Sequence, residues 1–119
     1  MSEELNYYTE QRPWGQFKIL YETPTFKVKE LIVKPGARLS YQLHHKRSEH
    51  WLVVQGEATV TRDDKEIRLK TNESVDLPLG TKHRVANRGS EDLIFVEVQT
   101  GTYFGEDDIV RIEDDYNRN

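Results

Sequence analysis

From residue 16 onward the sequence is a succession of short runs rich in Val, Ile, Tyr and Phe, separated by turn residues, and no window of a dozen residues carries the i, i+3, i+4, i+7 apolar stripe of an amphipathic helix. Nine runs read as strands: Gln16–Tyr21, Phe26–Val33, Arg38–His44, Glu49–Val54, Glu57–Thr61, Glu66–Leu69, Ser74–Leu77, His83–Ala86 and Leu93–Gln99. The punctuation between them is turn chemistry: Pro35-Gly36, Gln55-Gly56, Asp63-Asp64, Asn72-Glu73, Pro78-Leu79-Gly80 and Asn87-Arg88-Gly89. Many short strands at this spacing predict an all-β sandwich or barrel. At 119 residues the chain is one domain, read as an N-terminal arm over 1–15, a barrel over 16–104 and a C-terminal segment over 105–119. In that last segment Ile109, Val110 and Ile112 predict one more short strand or turn packed on the body.

Composition excludes several function classes. There is no cysteine, so disulfides, thiolate zinc sites and cysteine nucleophiles are ruled out. Seventeen Lys and Arg stand against 21 Asp and Glu with no dominant basic stretch, which argues against nucleic acid as a partner. No apolar run approaches the ~18 residues of a membrane span, and the start Met1-Ser2-Glu3-Glu4 is acidic, unlike a signal peptide. The expectation is a soluble cytoplasmic protein that does not engage a membrane.

Ligand-type side chains concentrate around two turns. Gln42 and His44 are two apart, which on a strand puts both on one face, and Glu49 follows five residues later. A second segment, Pro78 to Asn87, contributes His83. Taken singly, His44 or His83 reads as a structural or surface histidine and Glu49 as a solvated charge. Converging inside a barrel, two imidazoles, one carboxylate and one amide oxygen make a ligand set suited to Zn, Mn, Fe, Co or Ni, with positions left for substrate.

The spacing of these residues resembles a known family. Gly36-x5-Gln42-x-His44-x4-Glu49-x6-Gly56 is similar to the first cupin motif, and Pro78-x-Gly80-x2-His83-x3-Asn87 matches the second. The resemblance implies the cupin double-stranded β-helix, a jelly-roll barrel. Gln42 replaces the first motif's leading histidine, and Asn72 replaces a glycine before the second motif's proline. Asn tolerates the left-handed conformation such a turn needs. A Gln, His, Glu, His set is the one phosphomannose isomerases carry. Arg12-Pro13-Trp14-Gly15, the stretch from Ser40 to Trp51, and Tyr103 to Arg111 extend the resemblance to the isomerase domain of type II mannose-6-phosphate isomerases. In that family the cupin domain commonly follows a nucleotidyltransferase domain making GDP-mannose. These 119 residues hold no glycine-rich nucleotide-binding loop, so the expectation concerns the isomerase half alone. Tyr116-Asn117-Arg118 departs from the family's Tyr-Gly-Arg.

The resemblance implies interconversion of mannose 6-phosphate and fructose 6-phosphate through an enediol, with one divalent ion, zinc first, on Gln42, His44, Glu49 and His83. It places Arg111 beside the reacting carbons and makes Ser40, in the Ser-x-Gln-x-His element, a candidate substrate ligand. Arg47, two before Glu49, is a second candidate partner for the phosphate. Lys29 shares a strand face with Leu31 and Val33, which makes it a candidate for the barrel mouth and for catalysis; otherwise its stem covers core and its amine reaches water. Glu97, inside the apolar run Leu93–Gln99, is the candidate base, since burial raises a carboxyl toward a useful pKa; otherwise it faces solvent. His45 and His50 are rivals that alternate away from the ligand face. Arg84 points away as well, and Trp14 and Trp51 read as core or interface aromatics. Two other functions compete: a non-catalytic cupin that binds a sugar or sugar phosphate, and a cupin dioxygenase, against which the glutamine ligand and the Arg111 segment argue. The sheet edges of a small β-fold and the family resemblance together predict a homodimer.

Overall fold

Period-two alternation is carried through most fully in Phe26–Val33, where every second side chain (Lys27, Lys29, Leu31, Val33) is buried. A computed structural model describes residues 7–116 and is all-β. Its strands are β1 (Tyr8–Arg12), β2 (Gly15–Glu22), β3 (Phe26–Val33), β4 (Tyr41–Leu43), β5 (Arg47–Gln55), β6 (Ala58–Arg62), β7 (Lys65–Leu69), β8 (Ser74–Leu77), β9 (His83–Ala86), β10 (Leu93–Gly101) and β11 (Val110–Glu113). They pair antiparallel into a six-stranded sheet, β1-β2-β3-β10-β5-β8, and a five-stranded sheet, β11-β4-β9-β6-β7. The two sheets face each other as a jelly roll, with the apolar core between them. Among the described residues no helix is long and apolar enough to cross a membrane.

Register explains where chemistry can sit. Across β3, β10 and β5 the inward residues align in rows: Val33 with Leu93; Leu31 with Phe95 and Val53; Lys29 with Glu97 and Trp51; Lys27 with Gln99 and Glu49. All of these are buried. The interior is therefore apolar at one end and charged at the other, along the same three strands. The apolar end supplies the stability, at about 1.5–3 kcal/mol for each fully buried aliphatic or Phe side chain.

Turn chemistry closes the strands as expected. Asp63 and Asp64 both have positive φ, 48° and 69°, which makes a two-residue type I′ turn between β6 and β7. Asn72 adopts φ 75°, the left-handed conformation expected of it. The Arg12-Pro13-Trp14-Gly15 motif is the β1–β2 hairpin turn, with Arg12 opposite Gly15. A Cβ at Gly15 would lie 1.9 Å from the Ile32 carbonyl oxygen, so glycine is the residue that lets this hairpin press against β3.

Several element bounds differ from those expected, and one expected element is present. The arm expected over 1–15 contains an edge strand, β1, paired along its length with β2; its polar, half-exposed residues carry no apolar alternation that would mark it. The strand expected over Arg38–His44 shrinks to Tyr41–Leu43, with an isolated bridge from Arg38 to Ala86. Leu39, Ser40 and Tyr41 are buried in succession, which breaks the alternation. His44 then lies at the bend before β5, which starts at Arg47 rather than Glu49. The strand expected near Ile109–Ile112 is β11, paired with β4. Residues 1–6, and the Asn117-Arg118 departure from the family pattern, lie outside the described residues.

Asn87, the last residue of the second motif, is buried and works as a clip. Its Nδ2 donates to the carbonyls of Val33 (2.9 Å) and Glu91 (2.7 Å), and its Oδ1 accepts from the Gly89 N–H (2.9 Å). Asn87→Ala strands these buried groups and is expected to destabilise the fold by about 2–3 kcal/mol in urea unfolding. Gly15→Ala is expected to cost about 3 kcal/mol or more, since backbone rather than a flexible side chain stands in its way.

Candidate metal centre

His44, Glu49 and His83 come from three separate segments, yet their ligand atoms all lie within 4.8 Å of one another, and all three residues are buried. The orientation of each ring is set by its backbone partner. Nδ1 of His44 donates to the Asp108 carbonyl at 2.7 Å, and Nδ1 of His83 donates to the Thr81 carbonyl at 2.9 Å. A carbonyl accepts only from N–H, so in the neutral rings the lone pairs sit on Nε2, facing Glu49. Burial lowers the His44 pKa, which favours the neutral, ligating form. Nε2 of His83 is buried and meets no hydrogen-bond partner among the described residues. Such an orphaned acceptor is costly unless something fills the position, and a divalent cation fits it.

Glu49 is held equally firmly. One oxygen accepts the Trp51 indole N–H at 2.9 Å; the other accepts Nε of Arg47 at 2.8 Å and lies 3.3 Å from His44 Nε2. Burial alone would raise its carboxyl, but the Arg47 guanidinium and the indole N–H beside it hold it below the usual carboxylate range. Trp51 is thus a core residue that also orients a ligand, and it packs edge-on against His83 at 5.5 Å. Gln42 joins from β4, where it is the register partner of His83 on one side and of Arg111 on the other. Ser40 Oγ donates to Gln42 Oε1 at 2.6 Å, fixing the amide. Two neutral imidazoles and one carboxylate, with the Gln42 amide adjacent in register, suit a divalent ion and would leave it net positive and able to act as a Lewis acid.

The centre borders a narrow cavity of about 70 Å³, smaller than the roughly 300–1,000 Å³ of most small-molecule sites. Lys29, Ser40, Gln42, His44, Arg47, Glu49, Glu97 and Arg111 all line it. The structure therefore brings the other expected site residues to this cavity, and His83 lies against two of them, His44 and Glu49. Glu97 faces inward, opposite Lys29 on β3 and Trp51 on β5. Burial, then the Glu49 carboxylate, raise its pKa to about 8, while Lys29 and Arg47 pull the other way. Gln99 Nε2 donates to its Oε1 at 3.0 Å.

The rivals face elsewhere. His45 and His50 are exposed, and His50 pairs with Asp76 on the outer face. Arg84 bonds the Leu39 carbonyl and Glu113, away from the cavity. Three residues had no assigned role in the sequence reading. Arg12 and Glu106 also line the cavity, and Asp108 anchors His44. All three lie within the two terminal motifs, but only the fold shows that these motifs meet.

Comparison with known proteins agrees with this geometry. The family described as "Mannose-6-phosphate isomerase C-terminal" matches residues 2–114. The chain is 50% identical over 117 residues to the alginate biosynthesis protein AlgA of Pseudomonas aeruginosa, covering 98% of this chain and 24% of that protein. It is 44% identical over 107 residues to a mannose-1-phosphate guanylyltransferase of Klebsiella pneumoniae, covering 90% of this chain and 23% of that one. It thus spans about a quarter of the length of these relatives. Among solved structures, the capsular polysaccharide assembling protein CapF of Staphylococcus aureus superposes with a TM-score of 0.80 at 26% identity, over 92% of this chain and 33% of that one. With the family model matching nearly its whole length and the fold in agreement, the chain belongs to the family of mannose-6-phosphate isomerase C-terminal domains, built on the cupin jelly roll.

Proposed function

We propose that this chain is a metal-dependent aldose–ketose isomerase that interconverts mannose 6-phosphate and fructose 6-phosphate through an enediol. The observation that carries the reading is the convergence of two Nε2-facing imidazoles and Glu49 beside a cavity that also holds a buried carboxyl, Glu97, opposite Lys29. The names of the relatives, which concern mannose phosphate and polysaccharide synthesis, supply the substrate class.

The reaction moves a proton between C1 and C2 of the sugar and builds negative charge on the adjacent oxygen. A divalent ion on Gln42, His44, Glu49 and His83 would supply Lewis-acid polarisation of the sugar oxygens. Glu97 is the group that accepts and returns the carbon-bound proton. Its raised pKa suits both directions, and Lys29 across the strand pair favours its ionised form. Arg111, held beside Gln42 by the β4–β11 pairing, stabilises the developing oxyanion. Ser40 keeps the Gln42 amide in place and stands within reach of a sugar hydroxyl. Arg47 and Lys29 offer cationic N–H groups to the phosphate. The same surface could serve a non-catalytic sugar-phosphate module, and turnover separates the two readings. A homodimer remains part of the proposal, checked by light scattering.

Chelator-treated protein is expected to lose turnover of mannose 6-phosphate in a coupled assay and to regain it with Zn, Mn, Co or Ni. Folded, metal-binding protein that turns over nothing with any of these ions would move the reading to the binding module. Glu97→Gln is expected to lower kcat about 100-fold or more, with metal content by atomic emission unchanged. A loss of less than tenfold would remove Glu97 as the base.

Glu97 also predicts a pH dependence of stability. Its folded pKa, about 8, lies above the ordinary 4.5, so between these values the folded state holds a proton that the unfolded chain releases. The Glu97 contribution to stability therefore falls as pH rises from about 4.5 through about 8, while His44, lowered by burial, contributes with the opposite sign. In metal-free protein, Glu97→Gln is expected to flatten the fall of the urea midpoint over that window.

A further inference from the structure

Glu106 occupies a position whose chemistry is not its own. Its Oε1 accepts from Lys29 Nζ at 3.0 Å and its Oε2 from Arg47 Nη1 at 3.2 Å. The two cations come from different strands of the six-stranded sheet, β3 and β5, and their side chains are 4% and 5% exposed. The Glu106 side chain is 44% exposed. One half-solvated carboxylate thus bridges two buried cations, each oxygen taking one N–H donor, as two oxygens of a phosphate or sulfate group do. Lys29 also lies 4.2 Å from the centre of the Phe17 ring, which fixes its direction into the cavity.

The backbone around Glu106 is tied on both sides. Phe104 is buried, and its carbonyl accepts from Lys27 Nζ at 3.3 Å. The Asp108 carboxylate accepts the N–H groups of His45 and Lys46 at 3.1 and 2.9 Å, and its carbonyl holds His44. Opening the loop would disturb His44. Turning the Glu106 side chain outward, into the solvent it already half reaches, leaves both anchors intact.

We propose that Glu106 is a tethered occupant of an anion subsite formed by Lys29 and Arg47, displaced by the incoming ligand's anionic group, and that it thereby sets the affinity of the cavity for anions. The identity of that group as a sugar's phosphate ester rests on the isomerase reading; the subsite itself does not. A phosphate dianion brings two charges to the fork against the single charge of Glu106, so displacement runs in its favour. The apparent dissociation constant is the intrinsic one divided by the fraction of protein with the fork open, so a fork closed about nine-tenths of the time weakens anion binding about tenfold.

The test is calorimetric titration of the protein with inorganic phosphate. Glu106→Gln and Glu106→Ala are each expected to bind phosphate about tenfold more tightly than the unaltered chain. Asp107→Asn removes a neighbouring charge outside the fork and is expected to stay within about twofold, which separates displacement from a general field effect. The double variant Lys29→Gln/Glu106→Gln is expected to lose the gain. Unchanged or weaker binding in both Glu106 variants, an equal gain in Asp107→Asn, or a gain retained in the double variant would each overturn the proposal. Turnover of mannose 6-phosphate distinguishes this from failure of the isomerase reading. Tighter phosphate binding in protein that never isomerises leaves the subsite standing and the reaction wrong. Active enzyme with unaltered phosphate binding in the Glu106 variants does the reverse.

Discussion

Burying charge inside a small β-sandwich is the constraint on which the rest of this structure turns. Lys29, His44, Arg47, Glu49, His83 and Glu97 all lie inside one end of the molecule. An ion taken out of water costs several kcal/mol unless partners replace its hydration. Each group here is compensated by a partner: Arg47 by Glu49 two residues along the same strand, Lys29 by Glu106, the imidazole N–H groups by the carbonyls of Asp108 and Thr81. Glu97 is relieved by holding its proton. Among the described residues Nε2 of His83 is buried without a hydrogen-bond partner, a position a cation would fill.

Such an arrangement is stable only because the same strands carry an apolar half. Along β3 and β10 the side chains run from Val33 and Leu93, through Leu31 and Phe95, to Lys29 and Glu97. The apolar rows hold the sheets together and let the polar rows be placed by chemistry rather than by packing. The terminal motifs complete the polar end from outside. The β1–β2 hairpin brings Arg12 and Trp14 to the cavity, the segment before β11 brings Glu106 to it and Asp108 to His44, and β11 itself brings Arg111. A centre assembled this way is coupled throughout, so an anion that displaces Glu106 acts on Arg47, and through Arg47 on Glu49 and His44.

How legible this was varied from residue to residue. Lys29 and Glu97 could be placed because each sits in a run of period two, where facing is arithmetic once the neighbours are known to be core. His45 and His50 were correctly turned away by the same arithmetic. Gln42, His44, Glu49 and His83 were legible through motif spacing, because the ligands hang on short strands joined by turns of defined length. β1 escaped notice because an edge strand with two solvated faces has no hydrophobic alternation. The shortened β4 escaped because nothing local shows that Leu39, Ser40 and Tyr41 are all covered.

The sequence by itself determined the all-β class, the turns, the inward faces of the central strands and the two short motifs that carry ligand-type side chains, since each depends on neighbours a few residues away. Only the tertiary structure decided that Glu106 bridges Lys29 and Arg47, that Asp108 and Thr81 set the imidazole tautomers, and that Trp51 braces Glu49. The pairing of Glu106 with Lys29 spans 77 positions, and that of His44 with Asp108 spans 64. Contacts at that separation follow from how the two sheets close on each other, which no local pattern encodes.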